Sequence, residues 1–160
     1  MKTKIDIPTM QIDSINENIL RILEQNSSYT VKQLSDKVNL SPTAVNERIN
    51  KLEKSGIIKN YSAKLDKEKL GLSLTVFCFI KLSVHDKQKV SLVLFELKNC
   101  KEIKEIYNTS GEYDFLLKII TKDMKSYQEV LMKNISEIKE IGHINSIFVM
   151  SDIKTDSTLI

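Results

Sequence analysis

The stretch Asn39-Leu40-Ser41-Pro42 constrains this chain more than any other. Asparagine tolerates the left-handed backbone that a tight turn needs. Ser41 suits a helix N-cap, and Pro42 then stands at the first helical position, where its missing N–H costs nothing. The stretch therefore ends one helix and starts another. Before it, Val31, Leu34 and Val38 share one helical face, with Thr30 as cap. After it, Val45, Ile49 and Leu52 form an apolar stripe that Ser55-Gly56 brings to a stop. An earlier helix is signalled by Asp13 as cap and by Ile12, Ile15, Ile19, Ile22 and Leu23, and should end near Asn26–Ser28. Three helices with a tight turn between the second and third predict a helix-turn-helix, whose last helix enters the major groove of DNA.

The small Ser35 falls where the second and third helices must cross. At the start of the third helix Thr43, Ala44, Asn46, Glu47 and Arg48 are expected to point outward, with Lys51 one turn on. Thr43, Asn46 and Arg48 can bond base edges or phosphates, and Ala44 can touch a thymine methyl. Ser41 and the helix N-terminus suit a phosphate. Glu47 is an acid among them; in a groove it must pair with Arg48 or accept from a cytosine amino group. Ile57–Leu65 is expected to form a hairpin turning near Lys59-Asn60, a wing that lays Lys59 and Lys64 against the DNA backbone. Charge agrees with this placement. Residues 1–65 hold 10 Lys and Arg against 7 Asp and Glu, whereas residues 66–160 hold 14 of each. The whole basic excess sits with the helix-turn-helix, as a polyanion-binding surface requires.

Beyond a linker the period alternates. Leu72–Val84 predicts a strand, Lys87–Lys98 a helix, Ile103–Thr109 and Phe115–Thr121 two strands joined by a turn at Ser110–Tyr113, Met124–Ile138 a helix and Ile144–Ile153 a last strand. The order β-α-β-β-α-β is the split βαβ pattern of ferredoxin-like sandwiches, with two helices on one face of an antiparallel sheet. The other face needs a cover, and a second copy is the economical one. The fold class is thus α+β: residues 1–11 a tail, 12–65 the winged helix-turn-helix, 66–73 a linker, 74–154 an α/β effector and oligomerisation domain, 155–160 a tail. No apolar run approaches the ~20 residues of a membrane helix, and residues 1–10 lack the core of an export signal. Cytoplasmic location and reduced Cys78 and Cys100 are expected, with Cys78 buried. No metal site is expected, because neither His85 nor His143 lies at ligand spacing from a cysteine, and no cofactor or catalytic residue is expected, because no nucleophile-base pair is visible.

The chain resembles the Lrp/AsnC family of leucine- and asparagine-responsive transcription regulators. The resemblance runs from about Ile12 to Lys154. It is carried by Ile12-Asp13 with Asn18-Ile19-Leu20, by Leu34-Ser35-Asp36-Lys37-Val38-Asn39-Leu40-Ser41-Pro42-Thr43, by Arg48, Leu52-Glu53, Gly56-Ile57-Ile58 and Tyr61-Ser62-Ala63, and by Ser110-Gly111-Glu112-Tyr113-Asp114-Phe115-Leu116-Leu117-Lys118. It implies a regulator of double-stranded DNA that dimerises through its effector-domain sheets and stacks into tetramers or octamers. It also implies a small effector, usually an amino acid, bound between dimers at the glycine-aspartate turn.

Residue types allow an independent look at that effector site. Carboxylates are usually held by arginine, yet the two arginines are Arg21 and Arg48, both in the first part. A carboxylate would have to be met by lysine or by a nest of N–H groups at Ser110-Gly111-Glu112. Asp114 could pair an ammonium, and Thr109, Ser110, Tyr113, Ile144 and Ser146 complete the expected site. The competing reading of Gly111 and Asp114 is a turn that needs special backbone angles and a capping side chain. The family's proline-glycine pair before the last strand is missing from Ile138–Ser146, and Ile144 stands where a polar residue is usual. Alternatives to a sequence-specific regulator are an architectural protein that wraps DNA, and a relative of tetrapyrrole decarboxylases.

Overall fold

The computed structural model describes residues 12–155 and Leu159. The expected tails at 1–11 and, for the most part, 155–160 lie outside the described residues. The chain divides into two units, one comprising the described residues up to Lys64 together with Thr155 and Leu159, the other Leu65–Lys154.

The first unit holds three helices, α1 (Ser14–Gln25), α2 (Val31–Val38) and α3 (Pro42–Lys54). Their starts obey the capping chemistry of the sequence. Asp13 accepts the amide of Asn16, Ser41 accepts that of Ala44, and Thr30 and Gln33 form a reciprocal capping box. Asn39 closes α2 at φ 53°, ψ 45°, and Gly56 follows α3 at φ 74°. Ile19, Leu23, Leu34, Val45, Ile49 and Leu52 are buried together as the core.

The wing hairpin is a correction. Ile57–Leu65 carries no strand. A two-residue hairpin needs positive φ at its centre, and among the described non-glycine residues only Asn39 has it. Lys59-Asn60 therefore cannot make the turn. Instead the Ile58 amide returns to the Leu52 carbonyl, and the Tyr61 hydroxyl donates to Glu53, so the segment closes the end of α3.

The second unit is a four-stranded antiparallel sheet in the order β2-β3-β1-β4, from β1 (Leu74–Leu82), β2 (Ile103–Asn108), β3 (Phe115–Thr121) and β4 (Ile141–Phe148). Helix α4 (Lys87–Asn99) joins β1 to β2, and α5 (Met124–Val130) follows β3. The predicted helix over Met124–Ile138 changes character midway: Leu131–Ile135 is a π-helical turn. The last strand begins and ends earlier than the expected Ile144–Ile153. Its ladder is dictated by β1, pairing Leu82 with Ile141 and Val76 with Phe148. Past the Val149 amide, which donates to Thr75, β1 offers nothing more. Residues 66–73, the expected linker, group with this unit. They form turns, and Lys67 both donates to Thr75 and pairs with Asp152 at 2.7 Å, which ties them into this unit.

Alternation sorts the sheet into two faces. Val76, Cys78, Ile80, Leu82, Phe115, Leu117 and Ile119 are buried under Val93 and Leu97 of α4 and Tyr127 and Val130 of α5. Cys78 and Cys100 are buried free thiols. The register places Phe77, Phe79, Leu116, Ile120 and Ile147 on the opposite face. Within the unit both helices pack on the first face, so this second apolar face has no helix over it.

Candidate nucleic-acid interface and effector turn

The tight turn sets the angle between α2 and α3. Left-handed Asn39 lets the Leu40 amide reach back to the Ser35 carbonyl. Ser35 is buried at the crossing, and its hydroxyl donates to the Lys32 carbonyl, so no polar group is stranded there. Helix α3 then buries Val45, Ile49 and Leu52. At 3.6 residues per turn the opposite face holds Thr43, Asn46, Glu47 and Asn50, all exposed. Ser41 is exposed too, with its oxygen serving as the cap, while Ala44 is half-buried on the shoulder of the helix. Lys51, Lys59 and Lys64 are exposed, the last two on an extended segment and not on a hairpin.

Arg48 does not join the outward set. Its Nη1 donates to Asp13 Oδ2 at 2.7 Å and to Asn16 Oδ1 at 2.9 Å. Asn16 is 3% exposed, and the Arg48 side chain 28%. The Asp13 carboxyl sits below the ordinary carboxylate range, chiefly through the Asn16 amide and then through the Arg48 hydrogen bond. The sequence reading missed both this clamp and Asn50. A helical projection holds the signal for each: Asn50 lies one turn beyond Asn46, and Arg48 flanks the buried stripe.

The second expected site surrounds the β2–β3 turn. Gly111 sits at φ 120°, a backbone that only glycine adopts readily. Thr109 closes the turn through its amide to Asp114 O and its hydroxyl to Tyr113 O. The Ser110, Gly111, Glu112 and Tyr113 amides have no backbone acceptor among the described residues. Asp114 is engaged on both carboxylate oxygens. Oδ2 accepts the Leu82 amide at 2.7 Å, and Oδ1 meets His85 Nε2 at 2.9 Å. Together with the Asp114 amide, which donates to Ile80 O, these bonds fasten the turn to the end of β1. Tyr113 packs against Phe79 and stacks on His143, at 5.3 and 6.2 Å between ring centroids. His85 had no place in the expected site. Ile144 is half-buried opposite Ile80. Ile144 and Ser146 part from the group: both lie on the face carrying the helices, where Ile144 packs against the core and Ser146, opposite Cys78, bonds the Tyr127 hydroxyl.

The Leu82 amide is the main reason the Asp114 carboxyl lies below its ordinary 3.8, with His85 adding and desolvation opposing. A depressed carboxyl contributes stability above its unfolded value, and that contribution is lost as pH falls through the folded one. Exchange protection of the Leu82 amide is therefore expected to hold at neutral pH and to fade below about pH 4. Protection of the Leu82 amide left unchanged by Asp114→Ala at neutral pH would exclude Asp114 as the lock.

Among the described residues no three His, Cys, Asp or Glu side chains could hold a metal ion, and no helix is long and apolar enough to cross a membrane. Two family descriptions match the chain: a winged helix-turn-helix DNA-binding domain over residues 12–59 and the Lrp/AsnC ligand binding domain over residues 75–159. The transcriptional regulator AzlB of Bacillus subtilis is 31% identical over 91% of this chain and 92% of its own. The leucine-responsive regulatory protein of Escherichia coli is 31% identical over 96% and 93%. Among solved structures, an AsnC family regulator from Agrobacterium tumefaciens superposes with a TM-score of 0.88 at 33% identity, covering 92% of this chain and 96% of that one. A transcriptional regulator from Neisseria meningitidis in complex with L-Met gives 0.88 at 26% identity over the same shares.

Proposed function

The chain belongs to the Lrp/AsnC family of DNA-binding transcription regulators, and we propose that it acts as a dimer or larger assembly that sets two helix-turn-helix units on paired half-sites of double-stranded DNA. The observation that carries this is the left-handed turn at Asn39, which leaves the first half of α3 in solvent with a polar face. Dimers form through the second apolar face of the sheet and stack into tetramers or octamers. The protein works in the cytoplasm, and we assign it no catalytic step. The polar side chains on α3 favour a reader of defined half-sites over a protein that wraps DNA without preference.

An amino acid is the proposed effector, at the turn Thr109–Asp114. The turn's amides offer an anion nest for its carboxylate, and Glu112, exposed on the same turn, offers a partner for its ammonium. Asp114 already holds the Leu82 amide and His85, one on each carboxylate oxygen. The L-Met complex of the Neisseria relative supports an amino-acid ligand in this fold.

Band shift with the DNA upstream of the chain's own gene tests the first reading. Binding is expected at low salt and should weaken steeply as salt rises, since phosphate contacts release counterions. Undetectable binding at low salt would overturn it. A thermal-shift screen of the twenty amino acids tests the second. A ligand at 100 times its Kd adds about 2.7 kcal/mol to the folded state, which raises the melting temperature by several degrees. No shift with any of them would overturn the amino-acid effector and leave DNA binding standing.

A further inference from the structure

Resting on the DNA-binding reading, we propose that Asn46, Glu47 and Asn50 are the base-reading residues of this chain, that they select half-sites built on adenine and cytosine without a guanine contact, and that Arg48 is a positioning residue.

Asn46, Glu47 and Asn50 share the exposed face of α3 and have no side-chain partner among the described residues. Their amides and carboxylate are thus available, and ordering them on DNA breaks nothing inside the protein. Asn46 and Asn50 are one turn apart, about 6 Å along the axis, a span of roughly two base-pair steps. A carboxamide presents a donor beside an acceptor, the complement of adenine N6 and N7 in the major groove. The carboxylate of Glu47 only accepts. Cytosine offers it the N4 amino group, whereas guanine faces it with two acceptors, N7 and O6. Glu47, an unexplained acid among cations in the sequence, becomes the element that rejects guanine. The commonest guanine contact is a bidentate arginine or lysine; Asn46, Glu47 and Asn50 supply neither, and Lys51, one turn beyond Glu47, is left to the phosphates.

Arg48 is committed elsewhere. To reach a base it would abandon two hydrogen bonds, leaving the Asp13 carboxylate unpaired and buried Asn16 without its donor. By joining α3 to the first turn of α1 across 35 and 32 residues of sequence, it fixes the angle at which the reading face is presented.

Selection from a random duplex library with the full-length chain, repeated with single variants, tests the proposal. The parent chain is expected to enrich half-sites with adenine at two positions and cytosine at a third. Asn46→Ala and Asn50→Ala should each relax one adenine position and weaken the preferred site about 5- to 150-fold, the equivalent of 1–3 kcal/mol per base contact. Glu47→Gln should admit guanine at the cytosine position. Arg48→Ala should weaken all sequences alike and keep the base preference unchanged. Asp13→Ala should do the same, and the double variant should be no weaker than the weaker single, because the pair acts as a unit. Both asparagines are exposed and unpartnered, so their variants fold and the result stands on binding alone. A preference centred on guanine, a preference untouched by either asparagine variant, or a base preference altered by Arg48→Ala would overturn the proposal. No enriched sequence at all would instead overturn the sequence-specific DNA-binding reading beneath it.

Discussion

Ile147→Asp is expected to convert the protein into a folded monomer. Ile147 is 51% exposed in the single chain, so a carboxylate there costs the monomer little. The residue lies opposite Phe77, on the sheet face that also carries Phe79, Leu116 and Ile120. Packing two such faces together would bury the new charge against apolar surface. An unpaired buried charge costs several kcal/mol, and two-fold symmetry imposes the penalty twice. The cation in the same cross-strand row, Lys118, already pairs with Glu105 at 2.9 Å, so it does not neutralise the newcomer. Light scattering coupled to size-exclusion should show the mass of a single chain, with an unchanged far-ultraviolet circular dichroism spectrum. Affinity for a two-half-site duplex should fall about 100-fold or more, because the second contact ceases to be intramolecular. An unchanged mass would exclude this face as the dimer surface.

Leu52→Ala is expected to unfold the first unit and spare the second. Leu52 is 0% exposed and is packed with Ile19, Leu34, Val45 and Ile49. Removing its branched end costs about 2–5 kcal/mol, the transfer of the lost carbons plus the cavity they leave. A domain this small has little more than that to lose. The sheet shares none of this core. Calorimetry of the variant should show the sheet's transition in place and the other lost or moved to low temperature. DNA binding should vanish while the dimer mass persists. A single transition shifted by only a degree or two would refute the separateness of the two cores.

The two expectations rest on different kinds of legibility. The three helices and their caps were written locally. Asp13, Thr30, Asn39, Ser41 and Pro42 each act within three or four residues of themselves, so their chemistry needs no partner from afar. The order of strands and helices in the second unit was equally local, since period 2 and period 3.6 differ within a single element. The strand ends were not. β4 stops where β1 stops, and no property of Phe148-Val149-Met150 announces it. The absent wing hairpin failed for a related reason: apolar Ile57 and Ile58 have the look of a strand, but the Ile58 amide returns to Leu52 and closes the end of α3.

The site divides the same way. Sequence alone determined that a helix follows a tight turn, that its first half is polar, and that a Gly-acid-aromatic-Asp turn lies between two strands. These follow from residue types at short spacing. Tertiary structure alone decided the direction of Arg48, because Asp13 and Asn16 lie more than thirty positions away and only the packing of α1 on α3 brings them within 3 Å. It alone joined Asp114 to Leu82 and His85, and sent Ser146 to the helix-covered side of the sheet. Hydrogen bonds reach about 3 Å. Long-range partners therefore come into being only when the chain has folded, and no local pattern in the sequence names them beforehand.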